Sequence, residues 1–274
     1  MRSGVWGLVP SGVQGQSPWP FVFVLLVCFL GPVVWPVDPF AFDPIAVVAG
    51  PSAAHPLGTD VLGRDALARL IEGGTQTMLV AIPGAALAFA LGVAYGLTAG
   101  LGPVWLDRAL MRLLDAVLAL PSLVVLICLA ALATPDRVTL VLLIGLVAWP
   151  QLARLVRGEA RAVRGRDFVL TAEQLGAGRL HMARYHVLPV IGRLLVVNAT
   201  FLLGDAILGL SALSFLGLGV QPPQTSWGQL LAEGMGLVEL RAWWLILPPA
   251  LLIAGSLFAA GAAGRWVLNR GYHA

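Results

Sequence analysis

Lysine is missing altogether: every one of the 17 basic residues in this 274-residue chain is an arginine. That removes a phosphate-loop lysine, Schiff-base chemistry and a lysine general base in one step. Charge of either sign is scarce, at 11% of residues where soluble domains carry about 25%. Only two cysteines occur, Cys28 and Cys128, both within apolar runs, where a thiol behaves as a small buried hydrophobe and implies no disulfide framework. The four histidines (His55, His181, His186, His273) stand outside those runs without the spacing of a metal site. The glycines of GLGVQ and of GAG at 176–178 form no dinucleotide fingerprint, because no strand precedes them and no acidic partner follows.

What is present is hydrocarbon. Hydrophobic residues make up 58% of the chain and mean hydropathy is +0.87, which places it in a membrane. A bilayer core of about 30 Å needs roughly 20 mostly apolar residues in a helix, and six runs approach that length. They begin at Trp19, Met78, Leu113, Val138, Ile191 and Ala242. Arg2 lies far from the first run and no small-residue cleavage site follows it, so this run reads as a retained anchor. With both termini inside, 13 arginines face the cytoplasm and four (Arg64, Arg69, Arg137, Arg241) face out, as the positive-inside rule requires. A pI near 9.4 is then the signature of cytoplasmic loops, and no nucleic-acid partner is expected.

The expectation is therefore an all-α integral membrane protein with six transmembrane helices and a long cytoplasmic loop between spans 4 and 5. Its divisions are a cytoplasmic tail at 1–18, an anchor at 19–37, an external segment at 38–75, a core of spans 2 to 6 at 76–267 and a cytoplasmic tail at 268–274. In the second span Gly84, Ala88, Gly92, Gly96 and Gly100 recur every four residues, leaving one bare helix face for close approach within the bundle. Gly255, Ala259 and Ala263 repeat the device less strictly in the sixth. Pro83, Pro121, Pro150, Pro248 and Pro249 interrupt the spans, which neighbouring groups must compensate.

Charges inside lipid cost several kcal/mol, so the few that occur are informative. Asp205 lies 12 residues past Arg193, about 18 Å along a helix, near the bilayer midplane. It serves either a water-filled path or a hydrogen bond to a neighbouring helix; with Ser211 and Ser214 it forms the candidate set for a translocation path. Asp115, three residues after Arg112, suits an intrahelical ion pair ahead of a pore role. The stretch LLGDA around Asp205 is similar to intramembrane aspartyl proteases, but those need two facing aspartates and a further glycine. No nucleophile and base constellation is present, and no bond chemistry is expected of the chain.

The loop at 154–193 holds eight arginines, and small residues surround Leu175 in FVLTAEQLGAGRLHMARYHVLP. This stretch resembles the EAA loop of the membrane subunits of ABC importers, with Thr171 and Ala172 on the paired alanines, Gly176 on the glycine, and Leu188 and Pro189 on the LP. Leu170 stands where the family has glutamate, and His186 where isoleucine is usual. HxLP, HPLGTDVLGRD at 55–65, DRALMRLLDAVLALPSL from Asp107, RLVRGEARAVRGRDFV from Arg154 and LSFLGLGVQPPQTSWG at 213–228 together resemble the dipeptide, oligopeptide and nickel branch, second-permease type. Many relatives carry a glutamate three residues before LSFLG, where this chain has Leu210, and its ending lacks their GDxLRDxLDP-like tail.

The resemblance implies a permease subunit in a bacterial inner membrane. Its partners would be a second homologous permease, two cytoplasmic ATP-binding subunits and an external solute-binding protein. ATP and Mg would sit in the ATPase partners and no cofactor in this chain. Thr171, Ala172, Glu173, Leu175, Gly176, Ala177, Leu188 and Pro189 would form the ATPase-coupling surface. Di- or oligopeptides lead as solutes, ahead of nickel chelates. A stand-alone secondary transporter or membrane enzyme would show internal repeats or an intramembrane catalytic set, and the sequence shows neither.

Overall fold

A computed structural model describes residues 17–133 and 136–270, with side chains up to residue 267. Arg2 and the rest of the expected tail up to residue 16, and His273 with the GYHA end, lie outside the described residues. The helices are α1 (Trp19–Val34), α2 (Ala66–Leu101), α3 (Val104–Leu118), α4 (Ser122–Leu132), α5 (Arg137–Arg164), α6 (Asp167–Gln174), α7 (Arg179–His181), α8 (Leu188–Phe215), α9 (Trp227–Met235) and α10 (Trp243–Arg270). A π-helical turn, Met182–Val187, joins α7 to α8.

Among the described residues, four stretches are long and apolar enough to cross a bilayer: α2, α5, the continuous helix Arg179–Phe215 and α10 up to Val267. The expected six spans are met only in part. The third is broken at Ala119 to Pro121, where α3 and α4 meet at 78°. Pro121 holds an extended conformation (φ −59°, ψ 124°) as the N-cap of α4, so the apolar run continues while the helix does not. The first has 16 residues, about 24 Å, short of a 30 Å core. The second helix begins twelve residues before its apolar run, at Ala66, well inside the expected external segment. Asp65 starts it by accepting the Ala68 amide at 2.7 Å, satisfying one of the unpaired first-turn donors.

The bare stripe of α2 packs against α5, as bundle packing within the chain requires. Gly84, Ala88, Gly92, Gly96 and Gly100 are all buried. A Cβ added to Gly96 would fall 2.6 Å from Val156 Cβ and 2.7 Å from the Ala153 carbonyl; at Gly92 it would meet Leu152 Cβ at 2.9 Å. Backbone thus meets side chain at van der Waals distance along four turns, which is how helices associate where lipid offers no hydrophobic drive. The expected stripe of α10 is displaced in register. Of the three predicted residues Ala259 is buried, Ala263 half-buried and Gly255 exposed; the neighbouring row Ser256, Ala260 and Gly264 is buried throughout, with Gly264 against Thr200 of α8. The contact centres on the row one residue further along, about 100° round the helix from the predicted one.

Candidate functional site

At one end of the bundle the chain leaves α5, makes α6 and re-enters through α7. Val169 anchors α6 in the core with no exposure. The helix stops at Leu175 in a Schellman arrangement: the Gly176 amide donates to the Glu173 carbonyl and the Ala177 amide to the Ala172 carbonyl, each at 3.0 Å. This turn needs φ = +89° at Gly176, a region that L side chains avoid. The glycine predicted for close docking therefore shapes the loop as well. Glu173 braces α6 by accepting from Arg164 of α5 at 2.6 Å, and Thr171 turns its hydroxyl back to the Asp167 carbonyl at 2.9 Å.

Of the predicted coupling residues, Thr171, Glu173, Leu175 and Gly176 lie exposed on this loop, with Ala172 and Ala177 half-buried beneath them. Leu188 packs against the core and Pro189 is exposed in the first turn of α8. Because helix continues from Arg179 to Phe215, Pro189 does not begin it. The wider π turn just before it absorbs the missing amide. Leucines reach solvent at the loop tip: Leu175 is 84% and Leu180 82% exposed, and Tyr185 and Phe168 stand nearby in sequence, also exposed. These exposed apolar groups lie on the loop that the resemblance assigns to ATPase coupling.

Above the loop, ion pairs lock α3 onto α5. Buried Asp107 accepts from Arg157 Nη2 at 2.8 Å and pairs with Arg161 at 3.1 Å. Asp115 pairs with Arg154 of α5, which corrects the expected pair with Arg112 on its own helix. All three side chains are exposed, and the Asp115 carboxylate bridges to Arg154 on the neighbouring helix instead of to Arg112 on its own.

Midway along the bundle, α5 and α8 open a cleft of about 360 Å³ lined by Gln151, Asn198, Phe201 and Asp205 among others. Asn198, Phe201 and Asp205 share one face of α8 at spacings of three and four residues. Asn198 Nδ2 donates to the Leu194 carbonyl at 2.8 Å, leaving its oxygen to the cleft. Asp205 is exposed on this face and has no ion-pair partner among the described residues. Gln151 also borders a second cavity at the α3–α4 corner, beside Leu120, Pro121 and Leu123. Gln151 and Asn198 carry no charge, so hydropathy and charge patterning passed over them. Ser211 and Ser214, two further path candidates, lie elsewhere: they are 5% and 3% exposed and pack inside the chain against Gly228 and Gly219.

The opposite end is tied together by a charge cluster. Arg69, 3% exposed, donates at 2.6 Å both to Asp60 and to Glu233 of α9, while Arg64 Nε bonds Asp60 at 2.7 Å. His55 meets Asp65 at 2.9 Å. The Trp227 indole, buried at 1%, donates to the Leu70 carbonyl at 3.0 Å. The two motifs HPLGTDVLGRD and QTSWG thus fold onto the same turns of α2. Glu233 went unrecognised because nothing local distinguishes it; its partner is 164 residues away.

Residues 92–270 match the family described as binding-protein-dependent transport system inner membrane component. A di/tripeptide transport system permease protein of Pseudomonas aeruginosa is 38% identical over 89% of this chain and 83% of its own length. A probable D,D-dipeptide transport system permease protein of Escherichia coli is 35% identical over 91% and 84%. The dipeptide transport system permease protein of Bacillus subtilis is 32% identical over 89% and 77%. With long apolar helices, a small-residue interface between them and one displayed loop between α5 and α8, the chain belongs to the inner membrane components of binding-protein-dependent transport systems, as a permease subunit of an ABC importer.

Proposed function

We propose that the chain forms half of the translocation path of an ATP-driven importer for di- and oligopeptides, paired with a related permease. Two ATPase subunits would sit on the cytoplasmic side and a solute-binding protein outside. The loop end faces the cytoplasm in this reading, where 13 of the 17 arginines fall. The names of the relatives support the peptide assignment.

One observation carries the mechanism: α6, with Leu175 displayed at its glycine-turned end, adjoins a single helix running from Arg179 to Phe215 through the cleft at Asp205. A stiff helix transmits displacement along its length. ATP binding closes the ATPase pair, the seated loop follows, and the α8 face of the cleft moves relative to the partner permease. ATP thereby shifts the population of two access states, and the chain itself breaks no bond.

Reconstitution with components omitted one at a time tests this. Dipeptide uptake into proteoliposomes is expected only when both permeases, the ATPases and the binding protein are present. ATP-independent uptake by this chain alone would refute the proposal.

A further inference from the structure

The cleft between α5 and α8 has the composition of a selective site, and we infer that Asp205 receives the protonated amino terminus of a transported peptide while Gln151 and Asn198 meet its backbone amides. This rests on the peptide reading proposed above and assigns that reading a subsite.

The first argument is solvation. Three polar side chains from two helices, Gln151 and Asp205 exposed and Asn198 half-buried, line this cleft at bilayer depth and cannot lie against hydrocarbon without a cost of several kcal/mol. They face water or another polar surface. The second is charge. No arginine or histidine lines the cleft. The arginine nearest in sequence on α5, Arg154, is held by Asp115. Among the described residues the carboxylate therefore has no cation of its own, and an ammonium group is the complement it lacks.

The third is length. Asp205 lies seven residues beyond Asn198 on α8, about 10.5 Å at 1.5 Å per residue. An extended peptide advances roughly 3.3–3.6 Å per residue, so that interval matches about three residues. The amide groups complement a peptide bond on both sides. Asn198 keeps its oxygen as an acceptor, and Gln151, which no hydrogen bond within the described chain occupies, offers donor and acceptor together. Amides bind any peptide backbone without reading side chains, which suits a path that passes many sequences. Phe201 between them supplies apolar contact.

The test uses the assembled transporter carrying Asn198→Cys and Cys128→Ser; Cys28 is buried and remains. Methanethiosulfonate reagents of similar size, one cationic and one anionic, probe the new thiol. The cationic reagent is expected to react faster, and Asp205→Asn to reduce the cation-to-anion rate ratio by at least about tenfold, the effect of a unit charge some 10 Å away at an effective dielectric near 20. An unchanged ratio, or a thiol that neither reagent reaches, overturns the inference while leaving the importer reading intact. A second arm measures maximal uptake of a free dipeptide at saturating binding protein: a fall of about tenfold in Asp205→Asn with substantial recovery in Asp205→Glu is expected. Equal uptake in all three forms overturns the inference. If the ratio follows Asp205 but the wild-type assembly takes up no peptide, the peptide assignment itself falls.

Discussion

Gly176 and Gly178 stand two residues apart on the same exposed turn, yet only the first is conformationally obliged to be glycine. Gly176 has φ = +89°, while Gly178 has φ = −71° and nothing within 4 Å of an added Cβ. Gly176→Ala should strain the loop by about 1–2 kcal/mol and reduce uptake coupled to ATP turnover; Gly178→Ala should leave it near wild type. Similar losses for both would mean that space at a docking surface, not backbone geometry, sets the requirement. Charge burial separates a second pair. Arg69→Ala leaves Glu233 without its short ion pair and buried Asp60 to Arg64 alone, and should destabilise the detergent-solubilised protein by roughly 3 kcal/mol, visible as a lower thermal midpoint. Arg154→Ala breaks an exposed pair and should change that midpoint little. At the start of α5, hydrogen bonding from the Thr139 side chain, foremost, and then from backbone amides holds the Asp136 carboxyl below its usual range. A depressed folded value contributes stability above the unfolded value and loses it as pH falls through the folded one. The midpoints of wild type and Asp136→Ala should therefore converge in acid.

At the scale of helices, the α2–α5 seam invites the plainest test. Gly96→Leu drives a side chain into Val156 and the Ala153 carbonyl, and should cost more than the 1–3 kcal/mol of ordinary overpacking because backbone cannot yield. Loss of folded protein on gel filtration is the expected result, against normal recovery for Gly255→Leu on the exposed face of α10. The α2 seam was legible in the sequence because a four-residue repeat of small residues has one structural meaning over four turns. The α10 stripe was less so, since several small residues occupy each turn and periodicity alone does not choose among them. The break at Pro121 was hidden by continuous apolarity, which reports burial in lipid and not helix direction. Asp115 drew the wrong partner because the local spacing to Arg112 was visible and the approach of α5 was not. The loop from α6 to α8 stood out as polar sequence between spans. Its Schellman turn and π turn depend on backbone conformation that residue names specify only at Gly176 and Pro189.

On the scale of the whole molecule, the chain is organised as two ends joined by a stiff middle. A charge cluster and the buried Trp227 lock the end opposite the loop, and the small-residue seam of α2 and α5 holds the middle. One helix, Arg179–Phe215, connects the loop to the cleft. In the proposed mechanism this arrangement would turn a displacement at the loop into a change at Asp205. In the proposed assembly it would let a subunit without lysine take part in ATP-driven work done by its partners. The most direct measurement is dipeptide uptake and ATP turnover by the assembled transporter carrying Leu175→Arg, a change at an 84% exposed position that leaves the bundle untouched. Normal assembly of the two permeases with uptake reduced to background is the predicted result. Uptake and turnover at wild-type levels would contradict the account.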